Sequence, residues 1–263
     1  MPIHVDALRT AEYDFCTLYP NIRGATMTTR LLQIPARTDY VDEVYKTLVD
    51  AICDGSLAPG TRITQEDLAE QLAVSRSPVL QALRLLKKDG LVQDAPGRGV
   101  LVAPLNAQWL GDLYQIRGTL DSLAARLAAE RRSQIDPQLI STGRASYEAG
   151  DVHEMIDADM AFHFAVYAAS GNTLIADTAR VHWVHIKRVM GAMLQISGQR
   201  ESIWDEHQAI AEAIERGDPA AASKYSERHT TRAYTHLAAD LEAMLGQSAT
   251  APVIESDTAD VEM

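Results

Sequence analysis

From Asp39 onward, apolar residues recur at three- and four-residue steps, and Val41, Val44, Leu48 and Ile52 mark one face of a helix. Asp54-Gly55 stops that helix, and Pro59-Gly60 makes the next turn. Thr64 and Asp67 stand at capping-box spacing ahead of a short face formed by Leu68 and Leu72. Ser75 is placed to cap a third helix, with Pro78 in the first turn, where no amide proton is needed. Val79, Ala82, Leu83 and Leu86 form its inward stripe, and Gly90 ends it. The pattern then changes. LVQDAPGRGVLVAPL reads as two short strands around a Pro-Gly-Arg-Gly turn.

Beyond Pro104 the helical period continues almost to the end of the chain. Six helices are expected near 106–133, 137–149, 151–170, 173–197, 199–217 and 218–245. Gly150-Asp151, Gly171-Asn172 and Gly217-Asp218-Pro219 are stop-then-cap signals between them. Residues 1–37 carry no clear period and read as an N-terminal extension, and residues 246–263 as a disordered acidic tail. The pattern therefore predicts a mainly α protein. Residues 38–104 form an N-terminal winged helix-turn-helix, and residues 105–245 a C-terminal all-helical bundle of about six helices.

Composition narrows the function. The chain is 46% hydrophobic and 23% charged, ordinary for a globular protein, and its net charge of −12 argues against indiscriminate binding to nucleic acid. The charge is unevenly spread: across 61–99 six bases face five acids, whereas the stretch from Gly246 has four acids and no base. No apolar run approaches the roughly 20 residues of a membrane span, and no secretory pattern opens the chain. Cys16 and Cys53 are the only cysteines, which suits two reduced thiols in a cytoplasmic protein.

In a helix-turn-helix the second helix lies in the major groove. The polar side of the helix after Ser75 carries Arg76, Ser77, Leu80, Gln81 and Arg84. Arginine can pair with guanine and glutamine with adenine, while leucine offers only apolar contact to a thymine methyl. Ser77 and Lys87 or Lys88 suit phosphates, and Arg98 at the wing tip can reach a backbone or minor groove. Thr64 and Ser75, at the two helix starts, complete the expected DNA-binding set. The segment GSLAPGTRITQEDLAEQLAVSRSPVLQALRLLKKDGLVQDAPGRGVLV resembles the DNA-binding domain of the GntR family of bacterial regulators along its whole length. The resemblance implies that Arg76 and Ser77 contact operator DNA. One short recognition helix reads too few base pairs for useful specificity, so a homodimer binding a pseudo-palindrome is expected. Leu80-Gln81 departs from the family's usual Arg-Glu. A base-reading arginine is absent, so the operator core is expected to shift toward A·T.

Within the later helices, ionisable residues occupy apolar stripes. Asp159 and His163, four apart, share the face of Val152, Met155, Ile156, Phe162 and Val166. His207 lies among Ile203, Ile210 and Ile214, and His229 shares a face with Tyr225 and Leu241, His236 following two turns on. One buried histidine is ordinarily a hydrogen-bonded core residue; four inward ionisable groups together favour a divalent metal. The domain resembles the FCD type of the FadR-like branch, in a six-helix, VanR-like variant. There, an Asp-x-x-x-His pair and two later histidines about 22 residues apart bind metal. Asp159, His163, His207 and His229 match them. The resemblance implies zinc, or nickel or another first-row ion. Three imidazoles and one carboxylate leave such an ion positively charged with open positions, attractive to a small carboxylate effector.

Arg117 falls in the inward stripe Leu110, Leu113, Leu120, Ala124 and Leu127, so its guanidinium needs an anion. With no fixed acid evident on that face, an organic acid would serve, His236 lining the same pocket. The other reading is a salt bridge to Asp159 or Asp205. An Arg-x-x-x-acid pattern, here Arg117 and Asp121, recurs in the family and favours the ligand. His182 and His185 sit among polar neighbours and read as surface.

Two rivals to a ligand-responsive, non-enzymatic repressor follow. A metal-dependent hydrolase would use the same cluster to activate water, but His153-Glu154-Met155-Ile156-Asp157 ends in Asp where a zincin carries His. A constitutive dimeric regulator would carry a purely structural metal.

Overall fold

A computed structural model of the chain describes residues 40–197 and 202–250. The extension expected over 1–37, Cys16 and the acidic stretch after Thr250 lie outside them. The described elements are α1 (Tyr40–Cys53), β1 (Arg62–Ile63), α2 (Gln65–Gln71), α3 (Arg76–Lys88), β2 (Val92–Asp94), β3 (Val100–Val102), α4 (Ala107–Glu130), α5 (Pro137–Ala149), α6 (Val152–Ala169), α7 (Thr173–Ser197), α8 (Ile203–Arg216) and α9 (Pro219–Thr250). No helix among them is long and apolar enough to cross a membrane.

Two apolar cores organise these elements. The first joins Val44, Leu48 and Ile52 of α1 and Leu68 of α2 to Val79, Ala82, Leu83 and Leu86 of α3, closed by Ile63, Leu91, Val92 and Val102. The stripe expected for α3 thus points into it, as does that of α1 from Val44 onward, while Val41 stays half-buried outside it. The Thr64 hydroxyl accepts from the Asp67 amide at 3.2 Å and starts α2. Ser75 has the extended backbone of an N-cap but makes no side-chain capping bond. The hairpin is joined by a third strand that periodicity does not predict: β1 pairs antiparallel with β3, giving the order β1-β3-β2. A two-residue strand is too short to show alternation. Its pairing depends instead on Gly99, whose Cβ, were it present, would strike the Ile63 carbonyl.

The second core fills the helical part, with Leu110, Leu113, Phe162, Trp183, Ile186, Trp204, Ile210, Ile214 and Leu241 among its members. Boundaries depart from expectation at two ends. The helix expected from 199 is observed from Ile203, residues 198–201 lying outside those described. The last helix does not stop at Leu245 but runs to Thr250, which removes the first residues of the expected disordered tail. Gly217 adopts a left-handed φ of 68° and caps α8, whereas Gly246 stays helical and costs the helix only about 1 kcal/mol relative to alanine.

The two cores meet where α1 rests on α7. The Cys53 thiol lies 3.7 Å from the Val184 carbonyl. The Cys53 carbonyl occupies the place a Cβ would take at Gly191. Lys187 Nζ reaches Asp50 of α1 at 3.7 Å and Asp157 of α6 at 3.2 Å.

Candidate nucleic-acid interface and metal centre

Helix α3 buries one side in the first core and leaves Arg76, Ser77, Leu80, Gln81 and Arg84 exposed on the other. Its 13 residues span about 20 Å, enough to lie along a major groove. Leu80 is 39% exposed on that face. Arg76 pairs loosely with Glu66 at 3.3 Å, both exposed, and its carbonyl accepts from Gln65 Nε2 at 2.7 Å. Lys87 is held by Asp94 at 2.6 Å, which leaves Lys88 as the freer of the two lysines considered for phosphate. The wing is braced from below: Arg62 donates to the carbonyls of Pro96, at 2.9 Å, and Arg98. The Arg98 side chain itself is exposed at the tip.

In the helical part, α6, α8 and α9 deliver Asp159, His163, His207 and His229 to one point. Their ligand atoms all lie within 4.8 Å of one another, and all four residues are buried. His207 Nε2 stands 3.3 Å from His229 Nε2 and 3.4 Å from Asp159 Oδ1, and His163 Nε2 is 3.9 Å from the same oxygen. Nitrogen and oxygen ligands held at about 2.0–2.2 Å by one ion sit roughly 3.0–3.5 Å apart, so the donor set fits a divalent metal.

A surrounding tier orients these rings. His229 Nδ1 is 2.9 Å from Glu206 Oε2, whose other oxygen takes Arg232 at 2.6 Å. His163 Nδ1 is 3.4 Å from Asp121 Oδ2. Donation from Nδ1 leaves the Nε2 lone pair facing the cluster. Burial first, and then the Arg117 guanidinium, hold His163 well below the ordinary histidine range, so the ring is neutral, the form that ligates metal.

Arg117 overturns one expectation. A fixed acid does occupy its own face: Nε lies 3.3 Å from Asp121 Oδ2, one turn along α4. Nη2 is 3.7 Å from Asp159 Oδ2, Nη1 donates to the Tyr114 hydroxyl at 3.0 Å, and the Trp183 ring covers the guanidinium at 4.6 Å. Nη2 also donates to His163 Nε2 at 2.8 Å, the lone pair a metal would need. The salt-bridge reading to Asp159 therefore holds in this state, and Asp205 pairs with Arg144 instead. Burial alone would lower the Arg117 pKa, but Tyr114, Asp121 and Asp159 outweigh it and the net shift is upward. Asp121 is further bonded by the Tyr167 hydroxyl and lies 3.3 Å from Thr230 Oγ1.

His236 is exposed and is not among the residues that line the cavity beside Arg117. A seven-residue step falls about 20° short of two turns, and the buried stripe of α9 runs instead through Ser226, Thr230, Leu237 and Leu241. His182 and His185 are not simply surface. His182 lines a small cavity beside Arg117, and His185 packs edge-on against Trp109 with ring centres 4.5 Å apart. Glu206 is absent from the sequence-based candidates, although its place beside the stripe of Ile203, His207 and Ile210 is the signal that marks it. Trp183 over Arg117 was not legible, because the contact joins two helices.

Residues 40–102 match the family model for bacterial regulatory proteins of the gntR family, and residues 112–232 match the FCD domain. The HTH-type transcriptional regulator YdhC of Bacillus subtilis is 28% identical over 215 residues, covering 78% of this chain and 94% of that protein. LutR, an HTH-type transcriptional regulator of the same organism, is 31% identical over 212 residues, 68% of this chain and 93% of its own. In fold, the chain is like the crystal structure of a GntR transcriptional regulator from Rhodococcus sp. RHA1. The TM-score is 0.65 at 24% identity, over 76% of this chain and 98% of that one. These relatives are regulators, not enzymes. The chain belongs to the gntR family of bacterial regulatory proteins, as a transcriptional regulator that joins a winged helix-turn-helix to a helical FCD domain.

Proposed function

We propose that this regulator is a repressor that binds a pseudo-palindromic operator as a homodimer and leaves it when a small organic acid enters a metal-containing pocket. Residues 38–104 read the DNA through Thr64, Ser75, Arg76, Ser77, Leu80, Gln81, Arg84 and Arg98. Residues from 105 through the last helix sense the acid. The observation that carries the reading is the convergence of four buried ligand atoms from three helices. A divalent ion there, zinc or else nickel or another first-row metal, would supply positive charge and open positions for a carboxylate.

Asp159, His163, His207 and His229 hold the ion in this reading, and Glu206 and Asp121 keep two of the imidazoles aimed. Arg117 does not wait for the acid as its counterion. It holds the Asp121–Asp159 pair and yields His163 Nε2 when the site fills. The cavity beside it is only about 10 Å³, walled by Trp183, Ile186 and Tyr167. That space admits at most one water. Entry of an acid on that side therefore displaces Trp183 and with it α7. Because α1 rests on α7, the same displacement re-aims the recognition helices. A ligand shifts this balance only by its differential affinity, typically ~1–3 kcal/mol, or ~5–150-fold in operator binding.

The test is a panel of mono-, di- and tricarboxylates on zinc-loaded wild type, His207→Ala and His229→Ala. The variants should lose metal and thermal stability together, because metal binds the folded chain. An active acid should raise the wild-type unfolding temperature, weaken operator binding and do neither in the variants. An acid that binds yet leaves operator affinity unchanged would leave the metal a structural role only. Full metal occupancy in the double variant would mean different ligands.

A further inference from the structure

A second cavity lies between the two cores, remote from the metal ligands. Its volume is about 400 Å³, within the roughly 300–1,000 Å³ of small-molecule sites. Lys88, Gly90 and Gln93 line it from the winged helix, and Trp109, His185 and Arg188 from the helical part. Arg188 is 5% exposed. Its Nη2 donates to the Ala103 carbonyl in the segment joining β3 to α4, while Nε has no hydrogen-bond partner among the described residues. No carboxylate among the described residues pairs with it. Arg117, equally buried in the same fold, has two. Burial accordingly lowers the Arg188 pKa, offset only by Cys53.

A desolvated guanidinium with an idle N–H is a costly arrangement unless an anion completes it. Lys88 is exposed at the cavity's rim, and Asp89, which also lines it, accepts from the Tyr45 hydroxyl at 2.7 Å. His185 is pushed down by burial and adds no charge. Leu105, Asn106 and Trp109 bring the first turn of the 24-residue α4 to the cavity wall, the end of a helix that favours negative charge.

We propose that this cavity is an anion site, taking a small molecule whose carboxylate or phosphate oxygens accept from the Arg188 guanidinium and Lys88 Nζ. Trp109 and the Pro104-Leu105 segment cover its remainder. The site is separate from the metal cluster and stands whether or not that cluster senses an acid. Its walls belong to both cores, so an occupant ties the winged helix to α7 and changes operator affinity.

The experiment uses the full chain, stripped of metal with a chelator and free of DNA. It is titrated with sodium phosphate and with sodium acetate against sodium chloride at matched ionic strength, and read by thermal unfolding and calorimetry. Saturable stabilisation by phosphate, acetate or both is expected beyond that of chloride, and the stronger arm identifies the ligand chemistry. Arg188→Met should abolish it, the variant's own unfolding temperature in chloride serving as its baseline because the Ala103 carbonyl loses its donor. Lys88→Gln, a surface change, should weaken it several-fold. No saturable effect in wild type, or an equal effect in Arg188→Met, overturns the proposal. Should Arg188→Met not fold, unchanged affinity in Lys88→Gln overturns it instead.

Discussion

Arg117 shows how one side chain can serve the buried site in two ways. It neutralises Asp121 and Asp159, and it occupies the His163 nitrogen that a metal requires. Removing one partner of a buried charge network leaves the others uncompensated, which typically costs ~3–5 kcal/mol. Arg117→Met should therefore lower the stability of the metal-free protein by about that amount. The same change frees the His163 lone pair and removes a positive charge from the cluster. Zinc should then raise the unfolding temperature of the variant by more than it raises that of wild type. Denaturation with and without zinc checks both halves, and a smaller zinc effect in the variant would show that Arg117 does not compete for His163.

At the scale of the element, α3 combines an apolar stripe that seats it with an exposed face that offers contacts to bases. Arg76→Ala should cost ~1–3 kcal/mol per half-site and relax one operator position. Equal weakening on every sequence would restrict Arg76 to phosphate. Leu80 offers only a methyl contact, so Leu80→Arg should move preference toward guanine at its position. An unchanged binding-site selection profile would show that position 80 reads no base.

For the whole molecule, the joint between the two cores is the point through which the proposed mechanism transmits its signal. It depends on the absence of a side chain at Gly191, where the neighbouring atom is backbone and cannot rotate aside. Gly191→Ala should cost ~1–3 kcal/mol, in line with overpacking elsewhere, and loosen α1 from α7. Cys53 reports that joint directly. It is 2% exposed, and burial pushes its thiol up to about 12, so it should react slowly with thiol reagents at neutral pH. In a Cys16→Ser background, labelling of Cys53 should accelerate with Gly191→Ala and, in the Gly191 protein, on addition of an acid that releases operator. Labelling unaffected by either would place the coupling elsewhere than the α1–α7 contact.

Much of this architecture is written locally. A 3.6-residue period marks the inward face of each helix, and glycine, proline and capping residues mark the ends, so the helix order and the winged hairpin were legible from the chain. The metal-ligand candidates were legible for the same reason, because a polar residue inside an apolar stripe must point inward whatever it meets. What it meets is a different matter. That Arg117 meets Asp159 under Trp183, that β1 joins the wing, and that α1 seats on Gly191 are relations between elements distant in sequence. Periodicity reports the direction of a side chain and carries no information about its partner. Arg188 makes the point most plainly: only the tertiary packing reveals that this arginine is buried between two cores with no acid among the described residues to meet it.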